Sequence, residues 1–163
     1  MPKQTTNNSA MLGERLSRAV DGHVQAEART ILEYERILRS CTDPEVRFLI
    51  QLVLEDEHRH HALLDRLGRA LQDGTFHLDG APALPFESEM APLDDIASRL
   101  ACVAVDERIG AEELLNLANA GKEVDGGLFS VVLRLIAFDC QKHALALAHA
   151  GERMRALQRP HAS

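Results

Sequence analysis

Tryptophan is absent from the chain, and aromatic residues make up only 4 % of it. The core must therefore be built from Leu, Ala, Val and Ile, side chains that suit helix packed on helix. A basic surplus is also missing: 18 Lys and Arg face 25 Asp and Glu, giving a formal net charge of −7. Such a chain has little with which to neutralise a phosphate backbone, which argues against nucleic acid as a partner. No run of ~18 apolar residues is present and no signal-peptide pattern, so no membrane span is expected and the cytoplasm is the expected compartment. The three cysteines, Cys41, Cys102 and Cys140, are odd in number and widely spaced. They do not form a disulfide framework on paper; reduced thiols are the expectation.

With 163 residues and 45 % hydrophobic content, one globular domain is expected. The polar opening "MPKQTTNNSA", residues 1–10, reads as a disordered tail, and residues 11–158 as an all-α bundle. Apolar residues spaced three and four apart mark four helical segments. The first, about Leu12 to Arg39, has the stripe Leu12, Leu16, Val20, His23, Glu27, Ile31, Tyr34, Leu38, weakened at Gly22. The second, about Pro44 to Gln72, is opened by Thr42 and Glu45 in the pattern of a capping box. Its stripe reads Val46, Ile50, Val53, Glu57, His60 or His61, Leu64, Leu67, Leu71. The third, about Pro92 to Ala120, reads Ile96, Leu100, Val103, Glu107, Ala111, Leu114, then Leu117 or Ala118. The fourth, about Leu128 to Leu157, reads Leu128, Val132, Leu135, Asp139, His143, Ala146, Ala150.

Short joins between the first and second and the third and fourth segments predict two antiparallel hairpins. The middle stretch "DGTFHLDGAPALPFESEMAP" is different. At ~20 residues it reaches about 66 Å extended, more than the about 40 Å of a 27-residue helix. It is expected to cross the length of the bundle. A weak internal repeat fits two related hairpins. It matches Glu27 to Glu107 and Glu33 to Glu113, and aligns "EHRHHAL" with "DCQKHAL", pairing Glu57 with Asp139 and His61 with His143.

Each stripe carries one acid where Leu or Val is expected: Glu27, Glu57, Glu107 and Asp139. An unpaired charge there costs several kcal/mol, so it must be neutralised, paired or bound to a metal. Histidines follow at helical spacing on the second and fourth segments. The candidate ligands are thus Glu27, Glu57, His60, His61, Glu107, Asp139 and His143. Oxygen donors with imidazole suit iron or manganese, and no cysteine-rich set points to structural zinc. Simpler readings stand beside this one. "EDEHRHHALL" can be a solvated face, Glu107 a salt-bridged acid, Asp139–His143 a self-satisfying pair, and Cys140 a small buried hydrophobe.

From about residue 12 to 157 the pattern resembles the ferritin-like superfamily, which includes rubrerythrin and bacterioferritin. Those bundles carry a Glu on each of two helices and Glu-x-x-His on each of the others. Glu27 followed by Tyr34, Glu107, and Glu57-x-x-His60 resemble three of these elements. The fourth segment departs. Asp139 is followed by Lys142 at three and His143 at four, and Cys140 stands three before His143, where the family has Glu. The resemblance implies a ferritin-like four-helix bundle holding two iron ions per chain, or manganese, and acting as an oxidoreductase with O2 or peroxide. No C-x-x-C motif for electron transfer is present, so any electron donor would be external. A homodimer is the expected assembly. The alternative is a bundle of the same fold without a working metal site, acting in oligomerisation or partner binding.

Overall fold

Among the described residues the chain forms four long helices and one short turn: α1 (Lys3–Ser40), α2 (Pro44–Asp73), α3 (Ile96–Ala120), a 3-10 turn (Val124–Gly127) and α4 (Leu128–Gln158). The computed structural model describes residues 3–73, 95–122 and 124–158. The middle stretch that was expected to cross the bundle lies outside the described residues, apart from Asp73 at its start.

Helix α1 begins at Lys3, inside the segment expected to be a tail. No Gly or Pro interrupts the chain from Lys3 to Leu12, and extending an existing helix adds one backbone bond per residue fixed. The helix also runs unbroken through Gly22. The start of α2 differs from the expected capping box by one residue. Asp43, not Thr42, accepts from Glu45 N at 3.1 Å and Val46 N at 2.9 Å. Pro44 then stands at the first helical position, where its missing N–H is not needed. Helix α3 starts at Ile96 rather than Pro92, with Asp95 accepting from Ser98 N at 2.9 Å.

The α1–α2 join is tied at both ends. Arg47 donates to the carbonyls of Leu38 and Cys41, covering two acceptors left over at the end of α1. Arg153 of α4 grips the capping Asp43 through two bonds of 2.7 and 2.9 Å.

Helix α1 packs on α2, α2 on α4, α4 on α3 and α3 on α1, a ring of four. The α1–α3 seam is the loosest of these contacts. Two apolar clusters fill the interior. One joins Leu16 and Val20 to Leu64, Leu67, Leu114, Phe129 and Leu133. The other joins Tyr34 and Ile37 to Val46, Ile50, Val53, Leu100 and Leu147. Each fully buried Leu contributes roughly 1.5–3 kcal/mol relative to exposure.

The stripes read for α2 and α3 lie on their buried faces through Leu67 and Ala118, where both His60 and His61 are buried and Ala97 and Ala104 add to the face of α3. That of α4 does not. Its buried face is Leu133, Ile136, Ala137, Cys140, His143, Ala144, Leu147 and Ala150. Leu128, Val131, Leu135, Phe138 and Leu145 face outward. Helix α4 is apolar on two faces, so its hydrophobic period left the inward face undecided. Among the described residues, no helix is long and apolar enough to cross a membrane.

Two glycines should respond oppositely to alanine. A Cβ at Gly22 meets nothing within 4 Å, while one at Gly121 lies 2.4 Å from the Phe129 ring. Gly22→Ala is expected to stabilise by about 0.5–1 kcal/mol. Gly121→Ala is expected to destabilise by about 1–3 kcal/mol through overpacking. Urea unfolding of the two variants beside the parent checks both signs.

Candidate metal centre

Between the two apolar clusters the interior turns polar on every helix. Glu27 of α1, Glu57 and His60 of α2, Glu107 of α3, and Cys140 and His143 of α4 are all buried. Their donor atoms converge in three overlapping groups, with all atoms of a group within 4.8 Å of one another. One group is Glu57, His60 and His143; the second is Glu27, His60 and Cys140; the third is Glu57, Glu107 and Cys140. The two imidazoles stack with centroids 5.5 Å apart.

Each histidine is oriented by a carboxylate on the opposite helix. His60 Nε2 lies 3.1 Å from Asp139 Oδ2, and His143 Nε2 lies 3.1 Å from Asp56 Oδ2. The arrangement is reciprocal: α2 carries Asp56 and His60, α4 carries Asp139 and His143, and each Asp serves the other helix's His. Lys142 bridges the two acids at 2.7 and 2.8 Å, and Arg59 also pairs with both. With Nε2 engaged outward, both rings turn Nδ1 toward the centre.

Those inward atoms are not hydrogen-bonded. His143 Nδ1 is 2.8 Å and His60 Nδ1 3.4 Å from Glu57 Oε1, but neither approach has hydrogen-bond geometry. Glu27 Oε2, Glu57 Oε1 and both Nδ1 atoms are buried without a hydrogen-bond partner among the described residues. Leaving such groups unmade costs about 1–3 kcal/mol each. Glu107 is better served: Tyr34 OH donates to it at 2.5 Å.

Charge is shared unevenly. Burial first, then the neighbouring Glu57 and Glu107 charges, push Glu27 well above the ordinary carboxylate value. Burial opposes ionising Glu57, but its contacts with Glu27, His143 and His60 outweigh burial and hold it down. Burial likewise opposes a charged His143, yet Glu107 and Glu57 beside it push it up to about 10. Burial first, then the neighbouring carboxylates, pushes the Cys140 thiol up.

Five of the residues read as ligands from sequence meet here: Glu27, Glu57, His60, Glu107 and His143. Two do not. Asp139 is one residue, or about 100°, away from the inward face of α4. It is 29 % exposed and holds His60 from outside. The slot expected for it belongs to Cys140. His61 is buried but turns aside, against the Val24 backbone of α1. Residues the ligand reading missed are Cys140 as an inward donor and Asp56 as a partner of His143. A signal for both was present. Aligning "DEHRH" (56–60) with "DCQKH" (139–143) pairs Asp56 with Asp139, Glu57 with Cys140 and His60 with His143. That register lies one residue from the alignment read above.

A cavity of ≈ 180 Å³ reaches the cluster from the α1–α3 seam, lined in part by Glu27, Glu57, Glu107 and Cys140. At its mouth His23 stands 3.7 Å from the exposed Glu113. No family model, no curated protein and no solved structure matches the chain.

The titrations give the metal-free chain a lopsided pH profile. His143 is raised from 6.5 to about 10, and Glu27 is raised from 4.5. Both bind protons more tightly folded than unfolded. Their contribution is full below the unfolded values and is lost as pH rises through the folded ones. Asp139, lowered from 3.8 to about 2, acts in the opposite sense and loses its contribution as pH falls through that window. In chelator, the urea midpoint is expected to be lower at a pH of about 9.5 than at about 6, and to fall again toward about 2. An alkaline midpoint equal to or above the mildly acidic one contradicts this assignment.

Proposed function

We propose that the chain is a ferritin-like metal protein, its centre held by residues of all four helices, with two iron or manganese ions per chain and an oxidoreductase activity toward O2 or peroxide. The single observation that carries the reading is the set of four buried, unpartnered donor atoms on residues of two donor groups that share His60. A cluster built only to satisfy itself has no reason to leave Nδ1 of two histidines and an oxygen of two carboxylates unmade. The donor chemistry fits as well: three carboxylates with two imidazoles are the ligand types that suit iron and manganese.

The fold supports the same reading. The early part of α1 packs with the late part of α2 in one cluster, and the late part of α1 with the early part of α2 in the other. That pairing supports an antiparallel hairpin, and α3 with α4 forms the second pair. The outward apolar ridge of α4, Val131, Leu135, Phe138 and Leu145, supports the proposed homodimer.

Glu27, Glu57, Glu107, His60 and His143 would hold the ions. Metal ions of this kind, when bound with an open coordination position, supply redox chemistry with dioxygen or peroxide. The chain's own residues set the conditions. Asp56 and Asp139 fix the imidazoles with Nδ1 inward, as carboxylate–histidine pairs do in metal sites. Tyr34 orients Glu107, and the α1–α3 cavity reaches the cluster beside Glu27. The apolar clusters above and below exclude bulk water, and the cavity admits only small molecules. An electron donor would come from outside the chain.

A second reading, a bundle whose polar interior is purely structural, draws on the charged His143 paired with Glu57 and Glu107. Metal analysis separates the two. The freshly purified protein is expected to hold about two Fe or Mn per chain, as in the di-iron carboxylate bundles it resembles, with metal lost in Glu27→Ala and Glu107→Ala. Failure to take up metal after iron loading in air contradicts the proposal. Asp56→Asn and Asp139→Asn are expected to keep the metal but bind it about 10–100-fold more weakly. Competition against a chromophoric chelator measures that ratio, and unchanged affinity in both variants removes the orienting role.

A further inference from the structure

Cysteine 140 occupies a place that carboxylate and imidazole ligation leaves unexplained. The Cys140 side chain is only 4 % exposed, and its Sγ belongs to two of the three donor groups, with Glu27 and His60 in one and with Glu57 and Glu107 in the other. Three acids and an imidazole are unusual company for a sulfur that only fills space. The chain offers its own contrast. Cys41 is equally buried, and both cysteines belong to apolar clusters, but Cys41 enters none of the donor groups found among the described residues and its Sγ lies 4.0 Å from Met154 Sδ. That is the setting of a structural cysteine.

We propose that Cys140 is a thiolate ligand of the metal centre. The proposal rests on the metal-binding reading above and names a donor that reading does not require. Two further observations point the same way. First, the unpartnered Glu27 Oε2, Glu57 Oε1 and His60 Nδ1 belong to side chains more than nine-tenths buried, and these share donor groups with the sulfur. Second, Cys140 stands three residues before His143 as Glu57 stands three before His60, and the two helices are related by their reciprocal Asp–His pairs. Spacing of three keeps both members on one helix face. Cys140 is thus the α4 counterpart of Glu57, with sulfur where α2 brings oxygen.

The consequence is a lopsided centre. A thiolate favours softer divalent ions, so iron, cobalt or zinc should be preferred over manganese. Coordination deprotonates the thiol, and its proton passes to solvent.

Cobalt(II) added anaerobically to the full chain tests this. The parent protein is expected to develop visible ligand-field bands together with a near-ultraviolet sulfur-to-cobalt charge-transfer band. Cys140→Ser and Cys140→Glu should keep the visible bands and lose the ultraviolet one. The double variant Cys41→Ser/Cys102→Ser, in which Cys140 is the remaining thiol, should keep both. X-ray absorption of the zinc-loaded double variant should show a sulfur neighbour at about 2.3 Å, which needs no change at position 140 and so holds even if those variants fail to fold. Visible bands without a charge-transfer band, or zinc bound without a sulfur neighbour, overturn the thiolate and leave the metal reading standing. No cobalt or zinc uptake at all overturns both.

Discussion

An ionisable group inside a helical bundle must find a counterpart there, because isolated charge in an apolar interior costs several kcal/mol. Glu57, 1 % exposed, is the point where this demand is greatest. Every feature around it follows from the same requirement. Burial, and the second carboxylate charge of Glu57 beside it, push Glu27 toward its protonated form. His143 keeps its proton because Glu57 and Glu107 are close by. Yet compensation stops short: the inward atoms approach one another without bonding. Proton sharing offsets the charge and leaves the directional donors unused, and a bound cation would use them.

The outer ring of residues makes that inner geometry persistent. Asp56 and Asp139 each reach across from one helix to the histidine of the other, and Lys142 joins the two acids. These groups are partly exposed, so their worth as ion pairs is modest. Their effect is orientation. An imidazole tied at Nε2 presents Nδ1 inward whatever the solvent does, and tying both rings across the α2–α4 interface also fixes the depth of one helix against the other.

The helices were legible in the sequence because their apolar period is strong, and α2 and α3 could be read down to individual buried residues. Acids at Glu27, Glu57 and Glu107 stood out because each replaces an aliphatic residue in an otherwise clean stripe. Helix α4 was harder for a physical reason. Leu128, Leu135 and Phe138 are apolar and exposed, so two faces compete for the core and the period alone does not choose between them. Reading the wrong face turned Asp139 inward and left Cys140 as filler. The choice between His60 and His61 was open for a related reason: both are buried, one toward the centre and one toward α1, and adjacent residues on a helix differ by about 100°. Helix caps were legible only to within one residue, since Thr42 and Asp43 offer similar oxygens and only the backbone path selects the one that reaches Val46 N.

The central claim is that the space among Glu57, His60 and His143 receives a metal ion. Anomalous scattering from crystals of iron-loaded protein, recorded above and below the iron edge, addresses it most directly. The account predicts an anomalous peak within bonding reach of His60 Nδ1, His143 Nδ1 and the Glu57 carboxylate, with Nε2 of each ring still held by Asp139 and Asp56. A map without a peak there, in which both Nδ1 atoms instead hydrogen-bond the surrounding carboxylates, contradicts it.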